Sequence, residues 1–467
     1  VLHDKLCSVK SSGALPKTGT FMLSSYLPTM RSLQRQVWLY FAVMALTGFT
    51  VDGGIFSVVF NLFLLRLGYG PEFVGQINSA GLFAFALCSL PSGTLGVWLG
   101  NRRAMIVGMA LMMVSCFALA LSEFVNGTMQ TYWLLGFYIV FHSSIAILFV
   151  NTAPFLMAVT QETHRSHAFA LQSAMLSSAA FAGSLIGGLL PGFFARQMEL
   201  PLDAATPYRY PLLLAATMLV FGIILLQRIQ DPEGVVVATA VVPPLPPRRT
   251  YPSIFRVPRF QPIQWQTMDR AFLTLIIVIS LVRIFQIAGM ATLATFFNVY
   301  MDDGLGAPTA QVGLITGVGR LLAVPLVLMM PLLSARWGHR HLVTLSSLSA
   351  VFFLLPVAFI PTWWAAGLGY MGVMAGSSIR YTSFMIFIMA MVKPEQRSFM
   401  SGLSEMTAGL CFALMALIGG YIIVGQGYQT LFLVGAGATL FGVLLFWGYF
   451  RSDQPARRIA EAPAGGD

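Results

Sequence analysis

FNLFLLRLGYGPEFVGQI, residues 60–77, has a counterpart in FNVYMDDGLGAPTAQVGLI, residues 297–315, which is one residue longer in its central turn. Each stretch passes from an apolar segment through a turn with Gly and Pro into a second apolar segment. Proline suits the first turn of a helix, so both read as helix, turn, helix. The likeness continues outward. GTLGVWLGNRR from Gly93 lies over PLLSARWGHRH from Pro331, which aligns Gly100 with Gly338 and Arg102 with Arg340. HRSHAFALQS lies over QRSFMSGLSE, aligning Arg165 with Arg397, and IGG at 186–188 lies over IGG at 418–420. Matches in one order at a nearly constant offset describe a chain whose second half repeats its first.

Composition sets the medium. Of 467 residues, 57% are hydrophobic and 9% charged, whereas about a quarter of a typical soluble protein is charged. A globular cytoplasmic enzyme does not look like this. Apolar runs of roughly 20 residues or more, enough to cross a bilayer, fall near 37–64, 72–99, 103–123, 131–158, 168–194 and 210–228. A second set falls near 270–300, 310–334, 341–360, 364–391, 399–424 and 427–449. The expected fold is all-α and integral to the membrane, with twelve transmembrane helices in two six-helix bundles. The expected division is an arm at 1–35, a first bundle at 36–228, a linker at 229–269, a second bundle at 270–450 and a tail at 451–467. VVPPLPPRRTYPSIFRVPRFQP lies in the linker, and its prolines and arginines suit a surface connection. Parallel repeats of six spans place a solute site between the bundles.

The basic residues orient the chain. With the N-terminus in the cytoplasm, 21 of the 27 Lys and Arg fall on the inner side and three (Arg66, Arg196 and Arg209) on the outer. That asymmetry is the positive-inside pattern. It predicts a multi-pass protein of the inner or plasma membrane with both termini cytoplasmic. It also accounts for the net charge of +10 without a nucleic-acid partner. Cys7, Cys88, Cys116 and Cys411 have no metal-ligand spacing, and neither a metal nor a cofactor is expected. The chain carries no nucleotide-binding glycine loop, HExxH or GxSxG. The reading is therefore a non-enzyme driven by a gradient rather than by ATP.

On these residues the chain resembles the major facilitator superfamily, over roughly residues 36–450. The family's loop motif, G-x-L-a-D-R-x-G-R-R, is similar to Gly93, Leu95 and Gly96 here, followed by Val97 and Trp98 where the family has Asp and Arg. Gly100, Asn101 and Arg102 follow. The second copy reads Pro331, Leu333, Ser334, Ala335, Arg336, Gly338, His339 and Arg340. Both copies lack the acid that in the family helps latch the cytoplasmic side, so that latch is in question while the fold inference stands. The resemblance makes Gly93, Gly100, Arg102, Arg103, Arg336, Gly338 and Arg340 gating candidates, beside a plainer role as headgroup anchors. Glu162 with Arg165, and Glu395 with Arg397, resemble the charged loops that begin the fifth and eleventh spans. They read as inner-gate salt bridges or as exposed pairs of little energetic weight.

In the family's arrangement the first, fourth, seventh and tenth spans line the central cavity. Each of these spans here holds one titratable group in its apolar run: Asp52, His142, Arg283 and Arg380. Arg320 in the eighth span and Glu405 in the eleventh complete the set. Such groups are costly facing lipid and mark functional sites. Gln286 shares a helical face with Arg283, and Ser377 with Arg380, so two polar faces are expected to converge. Asp52 reads either as a proton-coupling carboxylate or as one partner of a fixed salt bridge. Arg283 reads as a solute contact or as a partner of Glu405 or Asp52, and Arg320 as a further binding or coupling candidate or only as a partner of Glu405. His142 is a second proton site or a neutral hydrogen-bonding imidazole. Gly53 and Gly54, directly after Asp52, are expected to weaken the helix and free carbonyls for a solute or ion. Asn61 and Asn298 occupy equivalent places and suggest a helix-end hydrogen bond.

The expected function is secondary active transport of a small organic or amphipathic solute by alternating access, coupled to protons, with efflux ahead of uptake. Selective uptake or exchange of an anionic metabolite is the main alternative. A lipid or lysolipid transporter and a non-transporting membrane sensor are the others. The expected partners are the solute, protons and membrane lipids, and one chain holding both halves is expected to work as a monomer.

Overall fold

The structure, a computed structural model, describes residues 34–160, 165–230, 270–392 and 397–451. The arm up to residue 33, Glu162, linker residues 231–269, Glu395 and the tail from residue 452 lie outside the described residues.

The described residues form helices, with no strand among them. In chain order these are α1 (Arg35–Thr50), α2 (Ile55–Arg66), α3 (Pro71–Leu99), α4 (Asn101–Ala120), α5 (Thr128–Val159), α6 (Arg165–Gln197) and α7 (Thr206–Arg228). After the linker come α8 (Arg270–Val299), α9 (Thr309–Leu328), α10 (Met330–Phe359), α11 (Trp363–Met391) and α12 (Arg397–Phe450). Helices satisfy their own backbone hydrogen bonds, which hydrocarbon requires. Nine stretches among the described residues are long and apolar enough to cross a membrane. The twelve passes expected from the sequence go beyond those nine. The 29-residue helices α3 and α11 fall outside them, and the 48-residue stretch Leu403–Phe450 holds a break at Gly427.

The repeat is visible in the backbone. Gly100 has φ 84° and ψ 142°, and Gly338 has φ 73° and ψ 154°. Both values lie in a region open essentially to glycine alone. Each glycine stands at a sharp bend, before α4 in one half and inside α10 in the other.

The halves meet along two helix pairs, α3 with α12 and α6 with α9. Their glycines come from the repeated stretches. A Cβ on Gly75 would strike the Ala416 carbonyl, and one on Gly420 would lie 2.8 Å from the Pro71 carbonyl. A Cβ on Gly188 would lie 2.9 Å from Gly313 Cα, and one on Gly313 would strike the Ser184 carbonyl. Gly75 aligns with Gly313, and Gly188 with Gly420. The same pair of motifs therefore forms both crossings, with the roles of the halves exchanged. Gly188, in the fifth span, permits the close backbone approach that small residues give between membrane helices.

These crossings lie near the end of the bundle that carries Arg66, hereafter the far end. The opposite, basic end carries Arg102, Arg103, Arg336 and Arg340.

Candidate functional site

The helix of the first span breaks at residues 51–54, between α1 and α2, where Gly53 has φ 83°. Part of the freed backbone is satisfied locally. The Gly53 amide donates to Ser57 Oγ (3.0 Å), and that hydroxyl donates to the Val51 carbonyl (2.6 Å). The expectation that this break frees carbonyls for a solute is corrected at Val51, because Ser57, one turn on, takes that oxygen. The break instead turns Asp52 toward the other half. Arg320 Nη2 of α9 donates to Asp52 Oδ1 at 3.5 Å, and the two side chains are 37% and 34% exposed.

Beside this pair is a cavity of about 350 Å³. Gly53, Ser57 and Val58 line it from the first span, and Ser177 from α6. Met290, Ala294 and Asn298 face it from α8, Thr316, Gly319 and Arg320 from α9, and Tyr370, Met374, Ser377 and Ser378 from α11. Serines and a threonine on an otherwise apolar wall offer a few placed hydrogen bonds, as small-molecule sites do. Two expectations change. Arg320 pairs with Asp52 and not with Glu405, because the break in the first span presents the carboxylate to α9. The eighth span is a cavity wall, whereas no residue of α5 is among the lining.

His142 accordingly does not join this site. Its Nδ1 lies 3.3 Å from the Tyr138 carbonyl one turn earlier, and its ring packs on those of Tyr138 and Phe141 at 4.4 and 5.6 Å. Of the two readings for His142, this is the geometry of the locally bonded imidazole.

A second polar group sits behind the cavity wall. Arg283 and Arg380 are 3% and 2% exposed, and Gln286 is fully buried. The Arg283 guanidinium lies over the rings of Phe384 and Tyr381, 4.9 and 5.6 Å from their centroids. Arg380 Nη1 donates to the Gln286 carbonyl (2.7 Å), and Nη2 to Met290 Sδ (3.3 Å). Arg283 Nε, Arg380 Nε and both amide atoms of Gln286 have no hydrogen-bond partner among the described residues. The expected convergence of two polar faces is present here, within one half. Glu405 is exposed on α12, within electrostatic reach of Arg283 and Tyr381.

The far end is tied by side chains. Arg66 donates twice to Asp302, 2.8 Å each, and once to the Leu202 carbonyl. Asn61 Nδ2 donates to the Thr295 carbonyl (3.2 Å), while Asn298 Nδ2 donates to the Ser57 carbonyl (2.8 Å). These equivalent asparagines thus clasp each other's half, where the sequence suggested only a helix-end bond. Asn61 is held in turn by Asn78, and Asn78 by the Tyr138 hydroxyl. Gln76 bonds the Tyr421 hydroxyl (2.8 Å), and Tyr208 the Thr309 hydroxyl (3.2 Å), again across the halves.

At the basic end Arg102 and Arg340 each reach backbone carbonyls of their own half. Arg102 donates to the Gln227 and Ile229 carbonyls, and Arg340 to the Arg451 carbonyl. Arg103 and Arg336 are exposed, the latter beside the Trp337 ring. Gly93 is half-buried near Val150. Arg165 and Arg397 begin α6 and α12, but the acids expected to pair with them lie outside the described residues.

A family model for the Major Facilitator Superfamily matches residues 37–379 and 279–465. Among solved structures, a D-xylose-proton symporter superposes with a TM-score of 0.68 at 13% identity, covering 88% of this chain and 97% of its own. A bacterial homologue of the human lysosomal transporter Spinster, inward-facing and occupied, gives 0.68 at 13%, with 90% and 97% covered. The nucleoside transporter NupG gives 0.67 at 12%, with 90% and 100% covered. At such identities the likeness is one of fold. No curated protein matches the sequence.

A multi-pass helical protein of this architecture, with a solute-sized cavity where its halves meet, is a secondary transporter. The chain belongs to the major facilitator superfamily.

Proposed function

We propose that the chain moves a small organic solute by alternating access, with Asp52 as its proton-coupling group. The observation that carries this reading is the Asp52–Arg320 pair. Its members belong to different halves and meet beside the cavity at 3.5 Å. Any rocking of the halves that opens the far end changes this distance. Parting the halves leaves the carboxylate without the counter-charge that Arg320 supplies here. The partial exposure of both groups gives water, and hence protons, access to them.

With the basic end in the cytoplasm, the contacts at the far end describe a carrier closed to the outside.

The test is purified protein in liposomes under an imposed pH gradient. Lumenal pH is recorded while pooled organic anions, cations, sugars and neutral amphipaths are added in turn. At least one pool should evoke proton flux in wild type, and Asp52→Asn should abolish it. Solute transport that ignores both the gradient and Asp52→Asn would remove Asp52 from the coupling role.

A further inference from the structure

The cavity has a wall behind its wall. Arg380 is the bulkiest of the fully buried side chains among the described residues, and its neighbour Arg283 is almost as deeply enclosed. Enclosing one unpaired charge in a poorly polar medium is expensive, and two of the same sign also repel. Such clusters persist when something neutralises them.

The chain supplies only part of the neutralisation. Among the described residues no carboxylate lies within ion-pair distance of either guanidinium, and Glu405, exposed on α12, is within electrostatic reach of Arg283. Two cations against one acid leave one positive charge over. Hydrogen bonding is equally incomplete. Arg380 commits Nη1 to a carbonyl and Nη2 to a thioether sulfur, a weak acceptor, while its Nε is unpartnered. Gln286, fully buried with both amide atoms unpartnered, adds a donor and an acceptor at the same place.

The cluster is one side chain away from the cavity. Met290, whose sulfur accepts from Arg380, lines the cavity, and so does Ser377, one helical turn before Arg380. Methionine is unbranched and flexible, so a change of its rotamer is an inexpensive way to open this wall.

We infer that Arg380, Arg283 and Gln286 form the subsite for an anionic group on the transported solute, a carboxylate, phosphate or sulfonate reached from the cavity past Met290. The inference rests on the transporter reading above and names its substrate class. Guanidinium forks give paired, directional bonds to such groups, and the Gln286 amide supplies a further donor. The rest of the solute lies in the 350 Å³ cavity against Ser377, Ser378, Thr316 and Tyr370.

The experiment measures melting of the full chain in detergent against a panel of carboxylates, phosphate monoesters and sulfonates. Each anion is run beside its uncharged amide or alcohol counterpart at fixed ionic strength. At least one anion should raise Tm saturably while its counterpart does not. Its affinity should fall at least tenfold in Arg380→Lys and in Arg283→Gln, and hold in Arg196→Gln, which changes an exposed arginine at the far end. If Arg380→Lys does not fold, Arg283→Gln decides alone. Equal responses to anion and counterpart, no response to any anion, or affinities unmoved by both variants would overturn the subsite. The two readings also fail separately. Neutral-solute transport that needs Asp52 but survives Arg380→Lys overturns the subsite and leaves the coupling proposal standing. Anion transport lost in Arg380→Lys but indifferent to Asp52→Asn supports the subsite and removes the coupling proposal.

Discussion

Two of the charged groups among the described residues of the apolar helices are built on opposite principles. Asp52 and Arg320 have opposite sign, belong to different halves and are each about one-third exposed. Arg283 and Arg380 have the same sign, belong to one half and are almost wholly enclosed. The first pair is a contact that relative motion of the halves can make or break. The second is joined within one half, where Arg380 on α11 bonds the Gln286 carbonyl on α8, so relative motion of the halves does not separate its members. On the readings proposed above, the first reports the state of the halves and the second holds the solute.

The largest effect that separates them is the mismatch between stability and function at Arg380. An enclosed cation without a carboxylate partner costs stability, and an apolar residue of similar length removes that cost. Arg380→Met is expected to melt at or above wild type while transport falls more than tenfold. The Asp52→Asn/Arg320→Gln double variant should melt within about 1 kcal/mol of wild type, since partly exposed ion pairs contribute little. Thermal unfolding and liposome flux on the same preparations check both. A loss of roughly 3 kcal/mol or more in Arg380→Met would mean the guanidinium is structurally paired after all.

A smaller effect is expected at the far end. Arg66 and Asp302 are 17% and 8% exposed and share two bonds of 2.8 Å across the halves. Charged hydrogen bonds of this type contribute about 1.5–3 kcal/mol. Asp302→Asn should therefore raise the far-end-open population by roughly tenfold or more, since about 1.4 kcal/mol is a factor of ten. An impermeant thiol reagent applied from the far side to Ser177→Cys, at the cavity wall, reports it once the native cysteines are replaced. Unchanged labelling would assign the closure to the glycine crossings and the asparagine clasp instead.

Much of the fold was legible in the sequence, because apolar length and repeated motifs are one-dimensional signals. Residues 60–77 and 297–315 announced the repeat, and the glycines inside them became the contact points of the halves. That Gly75 would meet Gly420, and Gly313 Gly188, was not legible, since pairing across an interface is a tertiary property. The charged residues show the same boundary. Depth along a span can be counted, but helices that are apolar on every side give no rotational phase. The partner of Asp52 was therefore left open, and Glu405 was the only partner named for Arg320. His142 looked like a cavity residue by its span, while Tyr138 one turn earlier was the available hint of a local partner. Ser57, four residues after Gly53, was the overlooked sign that the break in the first span satisfies part of its own backbone.

The smallest effect tests whether the two halves are equivalent at the basic end, where the charged groups give no guidance. Gly100 and Gly338 share a backbone conformation that a side chain resists, and a Cβ on either would meet nothing within 4 Å. The cost of Gly100→Ala or Gly338→Ala is then backbone strain alone, about 1 kcal/mol, the low end for such positions, because the exposed bends are free to relax. The two variants should lower Tm by the same small amount and leave solute affinity unchanged, since neither glycine is near the cavity. Equal shifts would mean that the bend serves both halves alike even though Val97 and Trp98 replace the motif's charged residues in one copy and Ala335 and Arg336 stand there in the other. A transport defect in Gly338→Ala alone, with matching Tm values, would place the moving part of the basic end at the second copy, where Arg340 reaches the Arg451 carbonyl after the last helix.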